Sequence, residues 1–154
     1  MSANKITVLY VDDEENNLFS FKATFRIKYN VLTAISGEEA LKVLAAKKVN
    51  VIITDQRMPE MTGVDFLEQV LAKFPDPMRI LLTGYADMNA VVDAVNKGKI
   101  FHYLAKPWNE EELDMTITRA FEKYLERVKL EEMNEKLAGS NDQLEFMLRQ
   151  RLLS

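Results

Sequence analysis

The chain has 154 residues, 47% of them apolar and 29% charged, a net charge of −4 and no cysteine. That makeup suits one soluble globular domain with a short appendage, and it excludes disulfides, thiolate chemistry and zinc–sulfur sites. No apolar run approaches the ~18–20 residues of a membrane span, no signal-peptide layout precedes the first strand pattern, and the acidic balance gives no reason to expect nucleic-acid binding, so the natural reading is a cytoplasmic protein.

Along the chain two hydrophobic periods alternate. KITVLYVDD (5–13) has the pattern of a buried strand, and Asn17–Tyr29 follows with Leu18, Phe21, Phe25 and Ile27 near helical spacing. NVLTAIS (30–36) returns to strand. From Gly37 the pattern is helical, with Ser36 and Glu39 spaced as a capping box. NVIITD (50–55) is a third strand, and Thr62–Phe74 a third helix closed by Pro75 and Pro77. RILLTG (79–84) is a fourth strand. A helix around Met88–Asn96 then stops at Gly98, a C-terminal glycine. IFHYLAKP (100–107) is the fifth strand, and the last helix begins after Trp108, with Asn109 and Glu112 as another capping pair.

Strands alternating with helices predict an α/β domain whose parallel sheet is covered on both faces. Right-handed crossovers place the loops that follow the strands on one edge, where open α/β sheets bind their ligands. Asp12 and Asp13 end the first strand, Asp55 the third, Thr83 the fourth and Lys106 the fifth. Any one of them could simply begin a loop, as Asp often does. Together they bring carboxylates, a hydroxyl and an ammonium to one edge, which reads as a site.

From about Lys5 to Tyr124 the chain resembles the receiver domain of two-component response regulators. VDDE, TDQRMP with Gly63, TGYAD and YLAKP carry the likeness, in the family's order. The resemblance implies a flavodoxin-like fold with strand order 2-1-3-4-5 and a phosphorylation-activated switch. It implies Asp55 as the phosphoacceptor for a histidine kinase or phosphotransfer protein. Mg²⁺ would be held by Asp13 directly, Asp12 partly through water, Asp55, and the backbone carbonyl of Arg57. Lys106 would bridge Asp55 and later a phosphoryl oxygen, Thr83 would donate to another, and Tyr103 would move inward as an aromatic switch. Lys106-Pro107 resembles the family position with a cis peptide bond. The bare chemistry agrees, since a carboxylate can attack phosphorus and Mg²⁺ suits an all-oxygen pocket. Such a domain catalyses only its own phosphorylation and dephosphorylation. Tyr103 could instead merely fill core volume, and His102, the single histidine, is expected to pack or face solvent.

The last part departs from a minimal receiver, so the chain divides into a receiver at 1–124 and an extension at 125–154. The helical pattern from Asn109 runs to about Ala138, roughly 45 Å at 1.5 Å per residue. Gly139 could end it there, with Ser140 and Gln143 capping a restart. Leu130, Leu137 and Leu144 recur at heptad spacing, as do Met133 and Met147 with Ser140 in the slot between, which predicts a parallel coiled-coil homodimer; the alternative is a helix folded back on its own receiver. The closing MLRQRLLS (147–154) has no polar tail, so an output domain is expected to follow. Two other functions fit less well. A small phosphohydrolase with an aspartyl nucleophile would want a D-x-D pair where this chain has Asp12, Asp13 and Glu14. An interaction module inert to phosphate would not need all five pocket residues.

Overall fold

The computed structural model describes residues 5–84 and 87–153, without the side chains of 140–142 and 150–153. The elements alternate as β1 (Thr7–Val11), α1 (Glu15–Phe25), β2 (Asn30–Ala34), α2 (Gly37–Ala46), β3 (Val51–Asp55), α3 (Gly63–Lys73), β4 (Met78–Thr83), α4 (Met88–Asn96), β5 (His102–Ala105) and α5 (Glu110–Leu153). The strands form one parallel sheet in the order β2-β1-β3-β4-β5. This is the flavodoxin-like topology that the family resemblance implied.

Side chains alternate across a strand, so each buried strand feeds two cores at once. Val8, Tyr10, Val51, Ile53, Ile80 and Leu82 point to the side of α1 and α5, where they meet Phe21, Phe25, Leu113, Ile117 and Tyr124. Leu9, Val11, Ile52 and Leu81 point the other way, toward Ala40, Leu44, Phe66, Leu67, Val70 and Val91 of α2, α3 and α4. β3 lies at the centre, and every one of its residues is buried. A strand that cannot slip fixes where its last residue emerges, and that residue is Asp55.

Three of the helix starts obey local capping chemistry. Ser36 Oγ accepts from the amide of Glu39 at 3.1 Å, Thr62 Oγ1 from Asp65 at 3.2 Å, and Asn109 Oδ1 from Glu112 at 3.1 Å. Gly98, past the end of α4, has φ of +73°, a conformation that glycine adopts without a Cβ penalty. The Lys106-Pro107 peptide is cis.

Beyond strand ends shifted by a residue or two, two helices differ from the sequence reading. α1 begins at Glu15 and ends at Phe25, and a turn carries Tyr29 back into the core at 2% exposure. The apolar spacing alone could not tell that turn from a further helical one. More consequentially, α5 is a single helix of 44 residues that passes through Gly139. A glycine inside a helix costs about 1 kcal/mol relative to alanine, whereas stopping and renucleating a second helix is the larger obstacle. The side chain of Ser140, read as a cap for a restart, lies outside the described residues. Among the described residues no helix is long and apolar enough to cross a membrane.

Candidate functional site

The C-terminal ends of β1, β3, β4 and β5 bring the expected residues together. Asp12 is fully buried and Asp55 is 6% exposed. Oxygens of Asp12, Asp13 and Asp55 all lie within 4.8 Å of one another. Lys106 Nζ reaches Asp55 Oδ1 at 2.5 Å, while its backbone amide donates to Thr83 O at 3.0 Å. Thr83 is 1% exposed and its hydroxyl donates to Gly84 O at 3.1 Å. Tyr103, half-buried on β5, packs at the rim of the α3–α4 side core and stacks on exposed His102 with ring centroids 6.0 Å apart. The Arg57 side chain points outward, its Nε donating to Asp87 Oδ2 at 3.0 Å. Tyr85 and Ala86 of the TGYAD motif lie outside the described residues.

Three further residues position the site; Asn17 and Gln56 were not read from the sequence, and Gly63 was read only as part of the family likeness. Asn17 Nδ2 donates to Asp12 Oδ2 at 3.0 Å, and the amide of Glu14 holds Asp12 Oδ1 at 3.0 Å, so both oxygens of the buried carboxylate are oriented. The helical phase of α1 could have suggested Asn17, because it lies in the first turn of the helix that Asp12 leads into. Gln56 closes the far side: its amide donates to Leu82 O at 3.0 Å and its Oε1 accepts from Val64 N at 2.9 Å. Gly63 is the third. A Cβ on it would sit 2.4 Å from Asp55 O and 2.7 Å from Leu81 Cδ1. Only a residue without a side chain lets α3 start hard against the end of β3.

Electrostatics follow from this enclosure. Burial raises the Asp55 carboxyl above the ordinary carboxylate range, and the charge of Asp12 adds to that. Lys106 and the Gln56 amide oppose the rise without cancelling it. Tyr10, stacked on Phe21 at 4.2 Å beneath the site, has its phenol pushed up by burial and then by Asp12. Three converging carboxylates with no sulfur or nitrogen donor make a hard oxygen set. Ligand oxygens around one Mg²⁺, each at about 2.0–2.1 Å, lie roughly 3–4 Å apart, so small side-chain adjustments would close this cluster on the ion. The residues fit. The arrangement offers an oriented carboxylate nucleophile, a cation bonded to it, and a hydroxyl one strand away.

A family model described as response regulator receiver domain matches residues 8–118. The hydrogenase transcriptional regulatory protein HoxA of Cupriavidus necator is 39% identical over 122 residues, 79% of this chain and 25% of that protein. Among solved structures, an uncharacterized protein from Neptuniibacter caesariensis is 40% identical with a TM-score of 0.76, covering 80% of this chain and 93% of that one. The structure of the adenylate cyclase from Rhodopirellula baltica is 29% identical with a TM-score of 0.83, covering 86% of this chain and 98% of that one. This chain spans about a quarter of the length of the curated relatives it matches.

Proposed function

Since the chain belongs to the response regulator receiver domain family, we propose that it accepts a phosphoryl group on Asp55 from a histidine kinase or phosphotransfer protein. The observation that carries this reading is the Lys106–Asp55 contact at 2.5 Å beside the Asp12–Asp13–Asp55 cluster. An Asp55 oxygen attacks the phosphorus of a phosphohistidine. The P–O bond forms as the P–N bond breaks, and the electron pair leaves on the imidazole nitrogen, which takes up a proton. Attack needs the ionised carboxylate, and Lys106 favours that form. Asp12, Asp13, Asp55 and the Arg57 carbonyl would hold Mg²⁺, which when bound neutralises charge on the phosphoryl oxygens. Asn17 and the Glu14 amide keep Asp12 oriented toward it. After transfer, Lys106 follows the phosphoryl group and Thr83 exchanges its bond to Gly84 O for one to a phosphoryl oxygen. Tyr103, already at the core rim, turns inward into the space that Thr83 vacates.

The reading also covers the division into a receiver at 1–124 and an extension at 125–154. α5 faces its own domain with Leu113, Ile117, Ala120 and Tyr124, all buried, but Leu130, Leu137 and Leu144 are 58–59% exposed. At 3.6 residues per turn the leucine stripe is rotated by about 120° from the buried face. A straight helix therefore cannot lay the stripe on its own receiver, which supports a parallel homodimer through Leu130–Met147. Signalling rather than turnover, and a cytoplasmic setting beside a kinase, complete the proposal. Incubation with acetyl phosphate and Mg²⁺ tests it. One acid-stable, base-labile equivalent per chain is expected, and its absence, or turnover of many equivalents, sinks the assignment.

A further inference from the structure

Asp87 sits at the N-cap of α4, yet its side chain caps nothing. Ser36, Thr62 and Asn109 each accept from the amide three residues on. Asp87 has the chemistry to do the same, and its charge would favour the positive end of the helix. Instead its backbone lies at φ −104°, ψ 10°, outside the extended region used by capping residues, and its carboxylate is turned to Arg57 Nε at 3.0 Å. That ion pair spans from the loop after β3 to the start of α4. It closes one side of a shallow cleft shared with Asp13 and Gln56.

We propose that Arg57 and Asp87 form a latch by which a phosphoryl group on Asp55 decides whether α4 is capped. The inference rests on Asp55 being the acceptor. Without phosphate, Arg57 holds Asp87 away from the first amides of α4, which have no intrahelical partner. A phosphoryl group two residues from Arg57 carries close to two negative charges and three acceptor oxygens, and guanidinium matches phosphate geometry in a fork. It competes for Arg57, Asp87 is released, and its carboxylate turns onto the amide of Ala90. An exposed ion pair and a helix cap are both weak interactions, so one added charge is enough to choose between them.

Amide hydrogen exchange at Ala90, read by NMR, tests the latch. Beryllofluoride with Mg²⁺ is expected to slow exchange at Ala90 about fivefold in the unmodified protein, the size of one cap. Arg57→Ala should produce the same slowing with no phosphoryl mimic. So should Asp87→Asn, because asparagine caps as well as aspartate but offers Arg57 no charge. Asp87→Asn should also still take one equivalent from acetyl phosphate. Unchanged exchange at Ala90 in both variants overturns the latch. Failure of the unmodified protein to accept phosphate would instead remove the acceptor reading, and the Arg57→Ala measurement would still decide whether the ion pair restrains Asp87.

Discussion

The carboxylate edge and the extension of α5 handle solvent in opposite ways. At the edge, charged groups are buried and tied: Asp12 is fully buried with both oxygens bonded, and Asp55 is 6% exposed against Lys106. Along the extension, carbon is left in water, with Leu130, Met133, Leu137, Leu144 and Met147 all more than half exposed. A buried charge needs fixed partners, so the edge is complete within one chain. An exposed apolar stripe on a long helix is the kind of surface that marks an interaction site. One region is complete within the chain, and the other, under the proposed dimer, is half of a contact.

The largest expected effect breaks the finished half. Asp55→Asn should abolish phosphate uptake while leaving the fold intact, checked by labelling with acetyl phosphate. Its stability effect has a definite sign. The Asp55 carboxyl is raised in the folded protein, so its contribution is fully present below the unfolded value and is lost as pH rises through the folded one. Asparagine removes that loss, so the variant should melt above the parent at neutral pH, with the gap closing in acid. Gly63→Ala should cost about 1–3 kcal/mol by overpacking. Because the clash is with Asp55 O itself, it should slow phosphorylation as well as lower the melting temperature.

The unfinished half is sharpened by Leu137→Asp. Self-association by sedimentation should weaken about tenfold or more, as 1.4 kcal/mol corresponds to tenfold. Melting of the receiver should stay where it was. Equal dimerisation after truncation beyond Tyr124 would place the interface on the receiver instead. The smallest effect is expected at the joint between the halves. Asp114 of α5 accepts from Lys28 Nζ at 2.6 Å and bonds the Tyr29 hydroxyl. Partial burial pushes its carboxyl up, but Lys28 and Tyr29 outweigh that and hold it below the ordinary range. Its contribution is therefore present above the unfolded value and lost as pH falls through the folded one. Asp114→Asn should lower stability by about 0.5–1.5 kcal/mol at neutral pH, and by less in acid, measured by thermal melts at several pH values.

What could be read from the sequence follows from what is local. The bounds of α4 at Met88–Asn96 and the caps at Ser36 and Asn109 depend on neighbours in the chain, and the structure has them as read. Convergence of Asp12, Asp13, Asp55, Thr83 and Lys106 on one edge follows from parallel topology, while the strand order came through the family likeness. Gln56 bonding Val64, and Gly63 pressed on Asp55, depend on the path of a loop, which hydrophobic periodicity does not encode. The Arg57–Asp87 pair joins residues thirty positions apart, and a standard capping residue that declines to cap leaves no mark in the sequence. Gly139 left one helix or two open for an energetic reason: one glycine weakens a helix without ending it, when residues on both sides remain good helix formers.

The unbroken run of α5 has a mechanical meaning as well. Beyond Tyr124 it continues for 29 residues to Leu153, about 44 Å at 1.5 Å per residue. A tilt of about 5° at the base of a rod that long sweeps its tip through about 4 Å, with length and pitch taken from helix geometry. Under the proposed switch, rearrangements of tenths of an ångström around Thr83 and Tyr103 would thus arrive at the far end magnified, in the manner of a lever whose fulcrum is the last buried turn of α5 at Tyr124. A flexible tether of equal length would lose that motion to its own bending, and the helix loses little of it because each peptide is braced against the one a turn away.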